Sequence, residues 1–209
     1  MRGLFITLEG MDGSGKSTQI NLLEAYFKSR GAEVVLTREP GGTVIGEEIR
    51  SMLLNREYAE MAETTEALLY AASRAQLVEE VVRPALAEGK MVICDRFLDS
   101  SLAYQGIARE LGVERVVSIN DFALEGLRPD LTIFLDLQAE EGLKRKKDQK
   151  DLDRMEMEKV DFHRKVSDAY RFLARQDSAR ILQLDASQDQ EEIHKAIVER
   201  IRKTFTDGP

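Results

Sequence analysis

The feature that most constrains the fold of this chain is a glycine-rich loop near its beginning. Residues 9–18 read EGMDGSGKST, and Gly10, Gly15, Lys16 and Ser17 match the spacing G-x-x-x-x-G-K-[ST]. An apolar run precedes this loop and a helical pattern follows it, which is the context that a phosphate loop requires. An ATPase, a GTP-dependent switch and a small-molecule kinase can all carry such a loop, so the rest of the sequence must choose among them.

The alternation of short apolar runs with longer helical patterns predicts the fold class. Five runs rich in Val, Ile and Leu are flanked by turn residues and are expected to be strands: 4–9, 33–37, 91–95, 131–137 and 179–185. Their near-continuous hydrophobicity is typical of parallel strands covered on both faces. The spacing Ser187-x-x-Gln190 predicts a capping box at the start of the last helix. We predict an α/β, doubly wound five-stranded parallel sheet with helices on both faces, forming one domain over residues 1–209.

Composition narrows the setting in which the protein works. A net charge of −8 argues against general binding to nucleic acid, which needs a basic face. The single cysteine, Cys94, lies in the apolar run MVICD, so a buried structural thiol in a reducing compartment is expected. No signal peptide is evident, and no apolar run approaches the ~18 residues of a membrane span. These features predict a cytoplasmic protein without a membrane or nucleic-acid partner.

The phosphate loop predicts the ATP-binding residues. Lys16 would bridge the β- and γ-phosphates, and the Ser17 hydroxyl would bind Mg²⁺. Asp12 is less expected, because a carboxylate beside phosphates is unfavourable unless a cation or a sugar hydroxyl offsets it. A turn-stabilising role for Asp12 is the alternative. The predicted ATP-binding residues are Gly10, Met11, Asp12, Gly13, Ser14, Gly15, Lys16, Ser17 and Thr18.

Charged residues at two further strand ends indicate a second anionic site facing the donor. Asp95 ends the third predicted strand, where it could reach the metal through water, and Arg96 follows it. Arg38 occupies the matching place after the second strand, in TREPGG. An arginine fork can bind two phosphate oxygens at once. Either arginine alone could be a solvated surface charge.

Other segments bear on the function without deciding it. Tyr70 and Arg74 lie one helical turn apart among small residues, which suits a nucleobase but also an ordinary amphipathic helix. The segment KRKKDQKDLDR (144–154) is dense in positive charge and could be a mobile lid or a solvated loop. No Asn-Lys-x-Asp guanine reader is present, which counts against a GTP-dependent switch.

Taken together, these motifs resemble the bacterial thymidylate kinase family over most of the chain. The phosphate loop with Asp12 is one of them, and five more follow in order: TREPGG, LYAASRAQ, DRFLDSSLAYQG, RPD (128–130) and LDR (152–154). The resemblance implies transfer of the γ-phosphoryl group of ATP to dTMP, giving dTDP, with Mg²⁺ as cofactor. It also implies a P-loop nucleoside monophosphate kinase fold, a basic lid at about 144–156 and a homodimer.

The same resemblance implies roles at the phosphate and sugar of dTMP. Arg96, together with Arg38, grips the dTMP phosphate. Asp12 accepts the 3′-hydroxyl of the deoxyribose. Tyr104 lies under the sugar C2′ and excludes a ribose hydroxyl.

At the thymine ring the resemblance implies five contacts. Tyr70 stacks on thymine, and Arg74 bonds a thymine carbonyl. Ser101 and Gln105 lie near the polar edge of the base, and Leu53 backs the pocket.

Some members of the family carry a catalytic arginine in the phosphate loop, and this chain departs from that pattern. Gly13 and Ser14 leave the phosphate loop without an arginine, so the lid must supply one. We assign Arg154 to this role beside Lys16 and Arg96, with Arg145 or Lys150 as possible substitutes in this lysine-rich lid.

Two other functions remain open from sequence alone. A deoxynucleoside kinase also uses a phosphate loop but needs a carboxylate base near the acceptor, a role in which Asp95 could serve. A nucleotide-binding switch that transfers nothing is the alternative from another class.

Overall fold

The computed structural model describes residues 2–146 and 152–205 and confirms the predicted fold class. One parallel sheet has the strand order β2-β3-β1-β4-β5. The strands are β1 Phe5–Gly10, β2 Val34–Arg38, β3 Met91–Asp95, β4 Leu131–Asp136 and β5 Ile181–Asp185. Each predicted strand agrees with one of these to within two residues at either end.

Helices cover the sheet on both faces. They are α1 Lys16–Lys28, α2 Val44–Leu54, α3 Glu63–Leu77, α4 Arg83–Ala87, α5 Leu98–Ser101, α6 Val113–Leu124, α7 Ala139–Lys146, α8 Val160–Gln176 and α9 Gln190–Thr204. Two π-helical turns, Val78–Val82 and Leu102–Ala108, continue α3 and α5. Within the described ranges, no helix has the length and apolar character needed to cross a membrane.

The alternation of side chains along β1 divides the core into two layers. Ile6 and Leu8 pack with α1 and α9, whereas Phe5 belongs to the layer beneath α6 and α8. Glu9 follows Leu8 and is fully buried at the end of this strand. The period of two therefore places a carboxylate inside the protein beside the phosphate loop.

The sheet brings the three predicted strand ends to one edge. Asp95 of β3 is in register with Leu8 of β1 and with Arg38 of β2. The phosphate loop, the turn after β2 and the turn after β3 therefore open at the same carboxyl edge, where ligands bind in open α/β sheets.

The last helix begins differently from the prediction. The cap of α9 is Asp189, whose carboxylate accepts a hydrogen bond from the Glu191 amide. Ser187 instead hydrogen-bonds through its hydroxyl to Asp185. The predicted capping box was therefore wrong, because Asp189 caps the helix two residues after Ser187.

Candidate active site

The Lys16 side chain is bound by backbone carbonyls of the phosphate loop. The Lys16 ammonium donates to the carbonyls of Gly10 (3.3 Å) and Met11 (3.4 Å) and lies 3.6 Å from a carboxylate oxygen of Asp12. Burial, and next the nearby Arg96 charge, lowers the pKa of Lys16. Gly10 has φ 137°, and a Cβ there would lie 2.5 Å from the Leu135 carbonyl, so no other residue fits. The loop is thus built for a close approach to oxygens.

Two oxygens beside Lys16 fit a magnesium ion. Asp95 Oδ1 is buried, has no hydrogen-bond partner among the described residues, and lies 3.9 Å from the Lys16 ammonium. Ser17 is exposed in the first turn of α1. Among the described residues no cluster of three or more His, Cys, Asp or Glu side chains could hold a metal alone. Mg²⁺ commonly takes one or two protein oxygens and completes its shell with phosphates and water, so this sparse donor set suits it.

Beside the loop is a cavity that unites most of the predicted acceptor residues. Of those residues, Asp12, Tyr70, Arg74, Arg96, Ser101, Tyr104 and Gln105 line it. Sequence reasoning missed its other lining residues, which are Glu39, Pro40, Arg50, Leu54, Ser100, Asp153, Met155 and Glu156.

Arg96 is fixed at the junction between the loop and the cavity. Its backbone has φ 70°, a left-handed conformation that is uncommon for a residue other than glycine. Its guanidinium donates to Asp12 (2.9 Å) and to the Tyr170 hydroxyl (3.2 Å). Its backbone amide donates to the Leu8 carbonyl. The turn and the side chain together place a positive charge between the phosphate loop and the cavity.

A buried carboxylate supports this turn. Glu9 accepts hydrogen bonds from the Phe97 amide (2.8 Å), the Ser100 hydroxyl (2.6 Å) and the Tyr170 hydroxyl (2.8 Å). Burial, and next the charge of Asp99, raises the pKa of Glu9 to about 7. Sequence analysis passed over Glu9, although an acidic residue at the end of the apolar run LFITLE is a detectable signal.

At the far end of the cavity, Arg74 is 1% exposed and its hydrogen-bonding capacity is filled by protein. Its five N–H groups donate to Glu39, Ser101, Asn120 and the Phe97 carbonyl. The predicted bond from Arg74 to a thymine carbonyl therefore needs one of these partners to be exchanged. The Ser101 hydroxyl, which accepts from Arg74, can donate its own hydrogen to a ligand.

The carboxylate beside Arg74 is buried as well. Burial raises the pKa of Glu39 to about 6, and the ion pair with Arg74 opposes the rise, so Glu39 is ionised at neutral pH. Because Arg74 binds both of its oxygens, Glu39 is poorly placed to accept a proton from a substrate.

Two predicted substrate residues do not line the cavity. Arg38 is half exposed and pairs with Glu47, while Arg50 occupies the cavity wall. Leu53 is fully buried, and its neighbour Leu54 lines the cavity instead. The predicted roles of Leu53, which backs the pocket, and of Arg38, which grips the dTMP phosphate, stay predictions.

The lid cations occupy different environments. Arg154 is 7% exposed, lies 2.7 Å from Glu66 and donates through Nε to the Leu53 carbonyl. In this conformation Arg154 is held by Glu66 and the Leu53 carbonyl, and its predicted catalytic role stays a prediction. Arg145 is exposed at the end of α7 and donates to the Gly13 carbonyl of the phosphate loop (3.0 Å). Lys150 lies outside the described residues.

Tyr104 lines the cavity next to Arg96. Its ring lies 5.5 Å from the Arg96 guanidinium and contacts Phe162 and Tyr170 edge-on. Burial raises the pKa of Tyr104 to about 12, so its hydroxyl is neutral at physiological pH.

The parallel sheet, the loop after β1 and the arginine turn after β3 define a P-loop nucleoside monophosphate kinase fold. The family model described as thymidylate kinase matches residues 8–197. The chain is 50% identical over 205 residues to the thymidylate kinase of Halothermothrix orenii, covering 97% of this chain and 98% of that one. It is 47% identical over 203 residues to that of Caldanaerobacter subterraneus subsp. tengcongensis, covering 97% of both.

A solved structure agrees with these sequence relatives. The crystal structure of thymidylate kinase from Ehrlichia chaffeensis superposes with a TM-score of 0.78 at 29% identity, covering 95% of this chain and 98% of that one. The chain belongs to the thymidylate kinase family.

Proposed function

We propose that this protein transfers the γ-phosphoryl group of ATP to dTMP, giving dTDP. The observation that carries the proposal is Arg96, held 2.9 Å from Asp12 of the phosphate loop and lining the acceptor cavity. A fixed cation at this point suits an acceptor whose reacting group is an anion. Family membership supports the same reaction.

The chemistry follows from charge. A phosphate monoester has a second pKa of about 6, so the acceptor is largely ionised at neutral pH and needs no general base. The difficulty is to bring two polyanions together, and Lys16, Arg96 and a lid cation answer it. Ser17 and Asp95 would hold Mg²⁺, which supplies charge neutralisation at the ATP phosphates.

This arrangement disfavours the rival deoxynucleoside kinase. That reaction needs a carboxylate free to take a proton from a sugar hydroxyl. Glu39 is bound by Arg74, and Asp95 faces Lys16. Arg96, which also lines the cavity, adds a positive charge that suits a phosphorylated acceptor better than a nucleoside.

The proposal is tested by ATP consumption with dTMP, with thymidine and with neither. We expect rapid consumption with dTMP alone. Consumption of ATP with thymidine would favour a nucleoside kinase. Slow consumption that neither dTMP nor thymidine changes would favour a nucleotide-binding switch.

Replacement of Tyr104 tests sugar discrimination. Since Tyr104→Ala removes a steric block rather than a bond, we expect ribonucleoside monophosphates to be accepted about tenfold better relative to dTMP. The ratio of kcat/KM for the ribo and deoxy forms of TMP measures this. Phe162→Leu, which alters a ring packed against Tyr104, serves as the control for general loosening. An unchanged ratio in Tyr104→Ala shows that the ring is packing only.

We also propose that the protein is a homodimer. Helices α2, α3 and α6 pack side by side, and large apolar residues project from them into solvent. These are Val44, Ile45, Met52, Leu68 and Phe122, with Phe122 91% exposed. Large exposed apolar residues grouped on packed helices are typical of an interface.

A charge introduced at Phe122 tests the dimer. Phe122→Glu is expected to give a monomer by light scattering, because the interface would bury an unpaired carboxylate. Phe172→Glu, on α8, is the matched control and should leave the mass unchanged. A dimeric Phe122→Glu variant would refute this surface as the interface.

A single domain in the cytoplasm completes the proposal. Cys94 is a free, buried thiol, which suits a reducing compartment. The five strands belong to one sheet, which supports one domain.

A further inference from the structure

A buried carboxylate that the phosphoryl transfer does not use lies between the cavity and the lid. Glu66 of α3 is 1% exposed. Its oxygens accept hydrogen bonds from Gln105 Nε2 (2.8 Å) and Arg109 Nη2 (3.2 Å), and Arg154 Nη2 lies 2.7 Å away. One carboxylate therefore joins an amide of the cavity wall to two arginines.

The arginine side of this cluster holds the lid root, which we define as residues 153–158. Arg109 pairs with Glu158 (2.6 Å), and its guanidinium lies 4.5 Å from the Phe162 ring. The Arg154 backbone amide donates to the Leu54 carbonyl (3.1 Å). The charges of this cluster therefore balance: Glu66 and Glu158 are negative, and Arg109 and Arg154 are positive. Three lid-root residues, Asp153, Met155 and Glu156, line the cavity.

The amide side of the cluster determines which atom Gln105 offers to a ligand. An ionised carboxylate only accepts hydrogen bonds, so it holds the NH₂ group of the Gln105 amide toward itself. The Oε1 atom is left as an acceptor for a ligand in the cavity that Gln105 lines. Thymine presents an N–H at ring position 3, whereas cytosine presents a lone pair there. The fixed amide therefore favours thymine.

Glu66 also lies close to the ring predicted to stack on the base. Burial, and next the charge of Glu66, raises the pKa of Tyr70. Glu66 and Tyr70 lie four residues apart on α3, and Glu66 also contacts Gln105 and the lid root.

We infer that Glu66 is a positioning residue that couples the base end of the cavity to the lid root. It fixes the orientation of the Gln105 amide and, through Arg109 and Arg154, the position of the lid root. The base-selecting half of this inference rests on the proposed function, whereas the lid half does not. In this account Arg154 acts through Glu66 and not on the transferring phosphoryl group.

The test compares Glu66→Gln with Glu63→Gln, which makes the same charge change at an exposed position of the same helix. In Glu66→Gln we expect the KM for dTMP to rise about tenfold, the effect of one misplaced hydrogen bond, with the KM for ATP unchanged. The preference for dTMP over dCMP should fall by a similar factor, because the Gln105 amide becomes free to turn. Without any nucleotide, trypsin should cleave the lid several-fold faster than in the parent.

Arg154→Met provides a second variant, should Glu66→Gln fail to fold. It keeps an unbranched apolar side chain and removes the guanidinium, that is, both the charge near Glu66 and the hydrogen bond to the Leu53 carbonyl. We expect a raised KM for dTMP with kcat lowered less. A lowered kcat with an unchanged KM would return Arg154 to a catalytic role and overturn the lid half of the inference.

The remaining outcomes are decisive as well. Parent-like KM, base preference and lid cleavage in Glu66→Gln would overturn the whole inference. If the parent itself fails to turn over dTMP, the proposed function falls, and the cleavage rate without nucleotide still decides the lid half.

Discussion

Lys16→Ala is expected to lower kcat by about 10²–10³-fold, the loss seen when one preorganised charge is removed from a transition state. Lys16 donates to loop carbonyls, and burial lowers the pKa of its amine. The folded environment of Lys16 therefore disfavours its positive charge. Removing it should leave the melting temperature within a few degrees of the parent. The measurement is steady-state turnover of dTMP, with thermal unfolding alongside.

Lys28→Ala is the control for this variant, since Lys28 lies on the same helix and pairs with Glu24 at the surface. It should retain full turnover. Near-normal turnover in Lys16→Ala would contradict the assignment of Lys16 to the ATP site. Lost turnover together with a much lower melting temperature would show that Lys16 has a structural role.

Arg145→Ala is expected to lower kcat by about 10³–10⁵-fold, or about 4–7 kcal/mol, if Arg145 meets the charge of the transferring group. Arg145 already donates to the Gly13 carbonyl, at the phosphate loop. A solvated surface arginine would contribute only about 0–1 kcal/mol, so the two cases separate clearly. The KM for dTMP should change little, because the contact belongs to the transition state.

Arg154→Ala and Lys150→Ala belong in the same series. If Arg154→Ala collapses kcat while Arg145→Ala loses less than about tenfold, the original assignment of Arg154 stands. Arg164→Ala, which removes an exposed arginine paired with Glu140, controls for the loss of one positive charge. If all three lid variants stay active, the lid supplies no single catalytic cation.

The parts of the site that sequence could predict are those fixed by local pattern and sheet geometry. The spacing in EGMDGSGKST predicts the loop, and parallel strands carry whatever follows them to one edge. Asp95 and Arg96 were therefore predictable as neighbours of the phosphate loop. The register of Asp95 against Leu8 of β1 and the hydrogen bond from the Arg96 amide to the Leu8 carbonyl agree with that reasoning.

The other parts of the site depend on tertiary distances, which no local sequence pattern encodes. Arg38 and Arg154 have suitable chemistry, but in the folded chain they pair with Glu47 and Glu66. Leu53 and Leu54 differ by about 100° around α2, and the sequence of this helix does not reveal which of them faces the ligand.

The central claim is that the phosphate of dTMP, rather than water or a sugar hydroxyl, receives the phosphoryl group. ATP labelled at its γ-phosphate, incubated with the protein, Mg²⁺ and dTMP, tests this directly when the products are separated. The account predicts that the label appears in the β-phosphate of dTDP. Label recovered only as inorganic phosphate, or transferred to thymidine in preference to dTMP, would contradict it.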